Sequence, residues 1–453
     1  MFYRSRSTCD EYIQQIYETG KVNASFGQKD ICESFFHKFF TMFTGDTPDV
    51  PDSARNVQVT LTPNFPTGNK GEQSHRNKSG LRNLFVKTDA NVLRSLDVVT
   101  LDPIESTNYG TFVPGISKAT MAASHASTDP DTGELFNFAL RFGKTPTYTL
   151  FKICPPTKTE DSRSQILAKI TDAPPAYIHS VCLTKNYFIF CVWQADFKLL
   201  GAAIPFYRNL VQSFKTWDPE REVLWYVVDR NKGGIVRKYT SDPFFAFHHI
   251  NAFDDGDNVV VDLCTFDTHE IIHKFYLDVL RSSTAKRSLD PPPLITRVVL
   301  ADITASPTSV VGTASITKTS ILLDLPTISP PYAWRPQRYA YGVSSRGLSS
   351  LWDCILKIDM QLLFSNSSDP PAGTIKRFER PFCTPSEPIF VPRPGATEED
   401  DGVVLMVELD GIKGKSALVV IDAQSFEELG RAQAKEGQFI VPHHFHGAWC
   451  GNL

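Results

Sequence analysis

The chain lacks a basic excess. Its 46 Lys and Arg stand against 50 Asp and Glu, a net charge of −4. No surplus exists to neutralise a phosphate backbone, which counts against nucleic acid as a main partner. A disulfide framework is missing too. The nine cysteines (Cys9, Cys32, Cys154, Cys182, Cys191, Cys264, Cys354, Cys383 and Cys450) are odd in number, scattered and without a CxxC pair. Several sit in apolar runs, where a free thiol behaves as a small hydrophobe in a reducing compartment. The N-terminal string MFYRSRSTCDEY has no apolar stretch, so no cleaved signal peptide is expected. No apolar run approaches bilayer-spanning length. No strong linker divides the chain either; TEEDDG (Thr397 to Gly402) reads as one solvated acidic turn. These absences predict a cytoplasmic protein, at most peripheral to membranes. The sequence sets no oligomeric state.

What the chain does have is apolar and aromatic material: 32 Phe, 14 Tyr and 6 Trp, with 42% hydrophobic residues. That supports a packed core and excludes global disorder. Proline and glycine, at 31 and 26 residues, suit many short elements joined by turns. One helix is expected near the start, in ICESFFHKFFTMFTG, where Ile31, Phe35, Phe36, Phe39, Phe40 and Phe43 recur at helical spacing before Gly45. Its phenylalanine stripe reads as core; left exposed, it would be a membrane or partner patch. From Val57 onward, strand-like runs such as NYFIFCVW, VLWYVVDR, NVVVDLCTF and GVVLMVELD follow one another between Gly, Pro, Asp and Asn. Such spacing predicts a sandwich, barrel or propeller. Length favours the propeller, because seven blades of ~45 residues would use roughly 315 and leave loops and a helical cap. No short repeat such as a Trp-Asp dipeptide supports this directly.

Two sets of histidines draw attention. The string His269-Glu270-Ile271-Ile272-His273 has the spacing of a zinc-peptidase helix. Position 279 of an extended signature is Val279, however, and the string follows directly on a strand, so a surface segment is the expected reading. His125, His179, His248 and His446 each adjoin an apolar or aromatic run. A single histidine at such a place is usually a satisfied core residue. Four at the strand ends of a closed radial fold would meet on its axis, and four neutral imidazoles suit iron, zinc or copper alike.

The strings that carry these histidines resemble one family. HASTDPDTGELFNF, the histidine followed by S-x-x-L-T-x-N-Y, FFAFHHINAFDD followed by VVVDLCTF, SEPIFVPRPGATEEDDGVVL and the terminal FHG occur in this order. Together they resemble the carotenoid cleavage oxygenases, which include carotenoid-, apocarotenoid- and stilbene-cleaving dioxygenases and the retinal-epithelium isomerohydrolase. The resemblance runs from about residue 30 to the end. It implies an all-β, seven-bladed propeller with a helical dome, forming a single domain over residues 1–453. It also implies an axial Fe(II) held by His125, His179, His248 and His446, with His249, His443 and His444 as neighbours.

The resemblance further implies three acids that hold the ligands' second nitrogens: Asp89 in KTDAN for His179, Asp324 in LLDLPTI for His248, and Glu387 in SEPIF for His446. Asp89 and Asp324 stand where relatives carry Glu, one methylene shorter, which puts their hydrogen-bond geometry in question. The implied chemistry is addition of both atoms of O2 across one double bond of an apolar conjugated substrate, a carotenoid, apocarotenoid or stilbene, giving two carbonyl products. Lys87 is a candidate substrate contact, with a solvated strand-edge lysine as the plain reading. Phe35–Phe43 resembles the family segment that touches membranes. The R-x-G-P string with which family members open is absent, and Met1 aligns inside the usual sequence. This predicts a propeller that is N-terminally incomplete relative to the family, with exposed strand edges. The alternative function is an inactive, truncated paralogue that binds apolar ligands.

Overall fold

Runs rich in β-branched and aromatic residues, broken by turn formers, fold here as short strands. The structure, a computed structural model, describes residues 10–19, 59–67, 80–157, 163–207, 209–276, 279–280, 292–305, 310–348, 351–365, 370–433, 441 and 444–451. The phenylalanine-rich segment with Phe35–Phe43 lies outside these residues. The helix described near the start is Asp10–Thr19. Among the described residues no helix is long and apolar enough to cross a membrane.

The chain divides into two compact units. The first comprises Met1–His179, Val192–Arg221 and Ile272–Val279, and the second the remainder. The first unit holds two four-stranded antiparallel sheets. One runs Thr60–Pro63, Leu84–Lys87, Leu93–Leu96, Pro103–Thr107; the other Ser127–Thr128, Leu135–Arg141, Thr147–Cys154, Arg163–Ile170. An apolar cluster of Phe65, Phe85, Leu93, Tyr109, Leu135 and Phe151 packs this unit, with the Phe65 and Phe85 rings stacked at 4.6 Å.

The second unit carries four sheets. The third sheet orders Cys182–Leu183, Tyr187–Val192, Val223–Asp229 and Ile235–Ser241, with Val311–Thr313 added parallel to the last. The fourth is Phe245–Asp255, Asn258–Phe266, Leu294–Leu300 and Ser315–Leu322. The fifth is Asp324–Thr327, Tyr339–Ser344, Cys354–Asp359 and Ile375–Glu379. In the sixth, Cys383–Pro385 and Ile389–Pro392 both pair with Gly402–Asp410, followed by Lys415–Asp422 and Glu428–Gln433. Burial explains why only some strands alternate in sequence. In Gly402–Asp410, Val404 and Met406 are buried while Val403 and Leu405 are half-buried. In Leu135–Arg141 the first six residues are all buried, so both faces are covered, and Asn137 is the polar residue among them.

A four-stranded antiparallel meander is the blade of a β-propeller, and the fold is all-β of that type. Among the described residues there are six sheets, which corrects the expected seven. A blade of ~45 residues presumes short hairpins. Here the connection 108–126 and the described residues of 193–222 consume chain without adding a sheet. Two short strands, Val311–Thr313 and Cys383–Pro385, join existing sheets as fifth members.

Packing of this kind makes a direct prediction. Ile358 is fully buried in the cluster of Ile250, Leu323, Leu356 and Met360, so Ile358→Ala should destabilise by about 2–5 kcal/mol. Leu429→Ala, at a residue 63% exposed, should stay within about 0.5 kcal/mol. Denaturant titration of both variants checks this; equal losses would contradict the core assignment.

Candidate metal centre

Two pairs of histidines lie close in space, His125 with His179 in the first unit and His248 with His446 in the second. In the first unit, His125 directly follows a bend at Ser124, and His179 lies outside the named strands. The His125 backbone N–H donates to the His179 carbonyl at 3.0 Å, and the two rings lie 4.8 Å apart, centroid to centroid. Their ring nitrogens are within 4.8 Å of each other. The bend is fixed from both sides. Asn137, buried in the strand Leu135–Arg141, accepts from the Ala123 N–H at 3.2 Å and donates to the Ala123 carbonyl at 3.0 Å. It also donates to the Tyr109 hydroxyl at 3.0 Å.

Asp89 links the two ligand segments of this unit. Its Oδ1 accepts from His179 Nδ1 at 2.8 Å and from the Ser124 hydroxyl at 2.6 Å. Its Oδ2 accepts from the Tyr177 hydroxyl at 2.8 Å, and the Tyr177 oxygen lies 2.9 Å from His179 Nδ1. Burial alone would push this carboxyl up. The facing His179 and the hydrogen bonds from His179, Ser124 and Tyr177 outweigh it and hold the pKa below the ordinary value. An ionised carboxylate only accepts, so Nδ1 of His179 carries the proton and Nε2 presents its lone pair. The same bonds to Asp89 push the Tyr177 hydroxyl well up, after burial as the larger cause.

In the second unit, His248 lies on Phe245–Asp255, where the register against Asn258–Phe266 shifts on both sides of His249. Such bulges re-aim side chains. His248 Nδ1 donates to Asp324 Oδ1 at 2.7 Å, and the same oxygen accepts the Leu325 N–H at 2.9 Å. Glu387 grips the terminal segment with both oxygens, taking His446 Nδ1 at 3.2 Å and the Gly447 N–H at 2.9 Å. A Cβ at Gly447 would meet Ile389 Cδ1 at 2.8 Å, so a larger residue there would push that side chain aside. The His248 and His446 rings are 5.1 Å apart, edge to face.

The three acids thus stand at the nitrogens assigned to them, and the two shorter ones reach as closely as the longer one. Of the neighbours, His249 is buried and hydrogen-bonded through Nδ1 to Ser180 Oγ at 2.8 Å. Burial, then the charge of His248, lowers its pKa to about 3. His443 lies outside the described residues. Lys87 is not a solvated edge residue: it is 3% exposed, and burial pulls its pKa down to about 7. His269–Phe275 forms a 3-10 helix, in which residues four apart point about 120° from each other. His269, Ile271 and Ile272 are buried while Glu270 and His273 are exposed, so the segment is a surface turn packed along one side. Sequence reasoning missed Tyr177, Ser124 and Asn137. Tyr177, two residues before His179 and so on the same face were the segment extended, was the one legible signal.

Comparison with known proteins places this arrangement. Residues 1–451 match the family described as retinal pigment epithelial membrane protein. A carotenoid dioxygenase of Neurospora crassa is 34% identical, over 99% of this chain and 78% of the relative. A torulene dioxygenase of Gibberella fujikuroi is 33% identical, over 99% and 80%. A mutant apocarotenoid oxygenase of Synechocystis shares the fold with a TM-score of 0.73 at 19% identity, covering 98% of this chain and 83% of its own. A cobalt-substituted form of that oxygenase superposes with a TM-score of 0.64 at 22% identity, covering 82% and 73%. By sequence, motif order and fold, the chain belongs to the carotenoid oxygenase family.

Proposed function

We propose that the protein is a non-haem Fe(II) dioxygenase that cleaves a carbon–carbon double bond of a carotenoid or apocarotenoid with O2, giving two carbonyl products. In this reading His125, His179, His248 and His446 hold one ion. The observation that carries it is the state of the histidines. Three of the four donate Nδ1–H to a carboxylate, which leaves Nε2 as the donor atom in each. The relatives' names, carotenoid and torulene dioxygenase, supply the reaction class. One solved relative is described as cobalt-substituted, in keeping with a metal at the centre of the family.

An all-imidazole donor set brings no negative charge of its own. Fe(II) bound there would supply the open coordination positions and the reducing power that O2 chemistry needs. The chain's own part is to fix the rings. Asp89, Asp324 and Glu387 set tautomer and orientation, and Asn137 and Ser124 hold the bend that precedes His125. An apolar substrate is consistent with the pocket of about 560 Å³ in the first unit, lined by Phe142, Leu199, Leu200 and Ile204. A helical dome and peripheral membrane contact through Phe35–Phe43 belong to the same reading. So does Lys87 as a polar contact for a substrate oxygen. Retention of all four histidines and three acids weighs against the inactive paralogue.

Two outcomes follow. His248→Ala should leave the purified, iron-reconstituted protein well below one iron per chain and without aldehyde products, while His273→Ala keeps both; metal analysis with product mass spectrometry reads this. Aldehydes formed from stilbenoids alone in that assay would discard the carotenoid assignment. Asp324→Ala should weaken iron binding about 10–100-fold by loosening His248, measured by chelator competition. Unchanged affinity would remove Asp324 from the centre.

A further inference from the structure

Lys87 is buried without a counter-charge. Among the described residues its ammonium has no hydrogen bond and no ion pair, although the residue is 3% exposed. It ends the strand Leu84–Lys87, directly opposite Thr60 on one side and Leu93 on the other. Directly opposed residues share a face of the sheet, as do residues two apart in a strand. Lys87 therefore lies on the face of Phe85 and Leu93, both members of the first unit's apolar cluster. It also shares a face with Thr60, whose hydroxyl donates to the carbonyl of Ser124, the residue before His125. Two residues beyond Lys87, Asp89 bonds Ser124 and His179. The amine thus sits on a sheet face that is apolar at one end and bounded by the two ligand segments at the other.

A buried ammonium with no partner is costly, and the group responds by shedding its proton. Burial brings the Lys87 pKa down to about 7, so much of it is free amine at neutral pH. A desolvated neutral lysine is a nucleophile toward carbonyl compounds.

We propose that Lys87 captures a conjugated aldehyde as a reversible imine. The inference rests on the dioxygenase reading only in its choice of ligand, an apolar polyene aldehyde, which is either the product of cleavage or the end group of an aldehyde substrate. In the step, the Lys87 Nζ lone pair forms a bond to the carbonyl carbon and the amine proton passes to the oxygen. The carbinolamine hydroxyl then leaves as water together with the remaining proton on Nζ, and the nitrogen lone pair forms the C=N bond. Nothing is oxidised or reduced. The imine would hold the aldehyde end of a chain at a fixed distance from the histidine pair, and hydrolysis would release it.

The test is reductive trapping with retinal as the probe. The metal-free protein is incubated with retinal and cyanoborohydride, digested, and mapped by mass. The expected result is a retinyl adduct on the peptide carrying Lys87, lost in Lys87→Met and Lys87→Gln, and diminished by excess retinol, which occupies apolar space but has no carbonyl. Adduct spread over exposed lysines such as Lys144 and Lys185, with Lys87 unlabelled in the wild-type digest, overturns the proposal; that map needs no variant to fold. A second arm uses iron-loaded protein, O2 and β-carotene, a hydrocarbon, with the same reductant. Label at Lys87 there assigns the captured aldehyde to the product, and label with added retinal alone assigns it to an aldehyde substrate. Cleavage of β-carotene without any Lys87 adduct in either arm sinks this inference and leaves the dioxygenase reading standing. An adduct in the metal-free arm without cleavage does the reverse.

Discussion

The hydrogen bond between a buried carboxylate and the Nδ1–H of a histidine is the interaction on which the rest depends. An imidazole alone in an apolar interior has two tautomers and a free ring rotation, and neither is a defined metal donor. Asp89 at 2.8 Å and Asp324 at 2.7 Å remove both freedoms at His179 and His248, and Glu387 does so more loosely at His446. Asp89 must in turn stay ionised while buried. Asp89 manages this by collecting the Ser124 and Tyr177 hydroxyls as well as the ring.

The fold supplies these pairs through irregularities in otherwise regular sheets. His125 follows a bend pinned by Asn137. His248 stands among bulges in Phe245–Asp255. Asp324 begins a strand whose next residue, Leu325, has a positive φ of 46°, a conformation uncommon outside glycine and costly to hold. Local strain of this kind persists only where the surroundings over-determine it. Here Asp324 itself accepts the Leu325 N–H, so one carboxylate stabilises the turn and aims the histidine.

How much of this could be read in advance follows from how local each feature is. The four histidines and three acids were legible because each lies in a short recognisable string. Their pairing came with the family resemblance, not with the spacing. The one-methylene deficit at Asp89 and Asp324 turned out to be absorbed by backbone position, which no string reveals. Sheet count was not legible, because assigning Val311–Thr313 to Ile235–Ser241 is a contact across about seventy residues of chain. For Lys87, named as a candidate substrate contact, the alternative of a solvated edge lysine stayed open for the same reason. Its burial is decided by register with Thr60 and Leu93, and a charged residue at a strand end carries no mark of which face it will occupy. The HEIIH string has zinc-like spacing, which presumes an α-helix, and a 3-10 turn forms there instead, in line with setting the zinc reading aside.

Whether His125, His179, His248 and His446 bind a single ion, as proposed, can be read by X-ray absorption at the iron edge of the reconstituted Fe(II) protein. The expected spectrum has a first shell with four imidazole nitrogens per iron, completed by light solvent atoms, and the imidazole outer-shell scattering that accompanies them. A shell dominated by carboxylate oxygen or cysteine sulfur, or one holding only two imidazoles, would contradict the proposal.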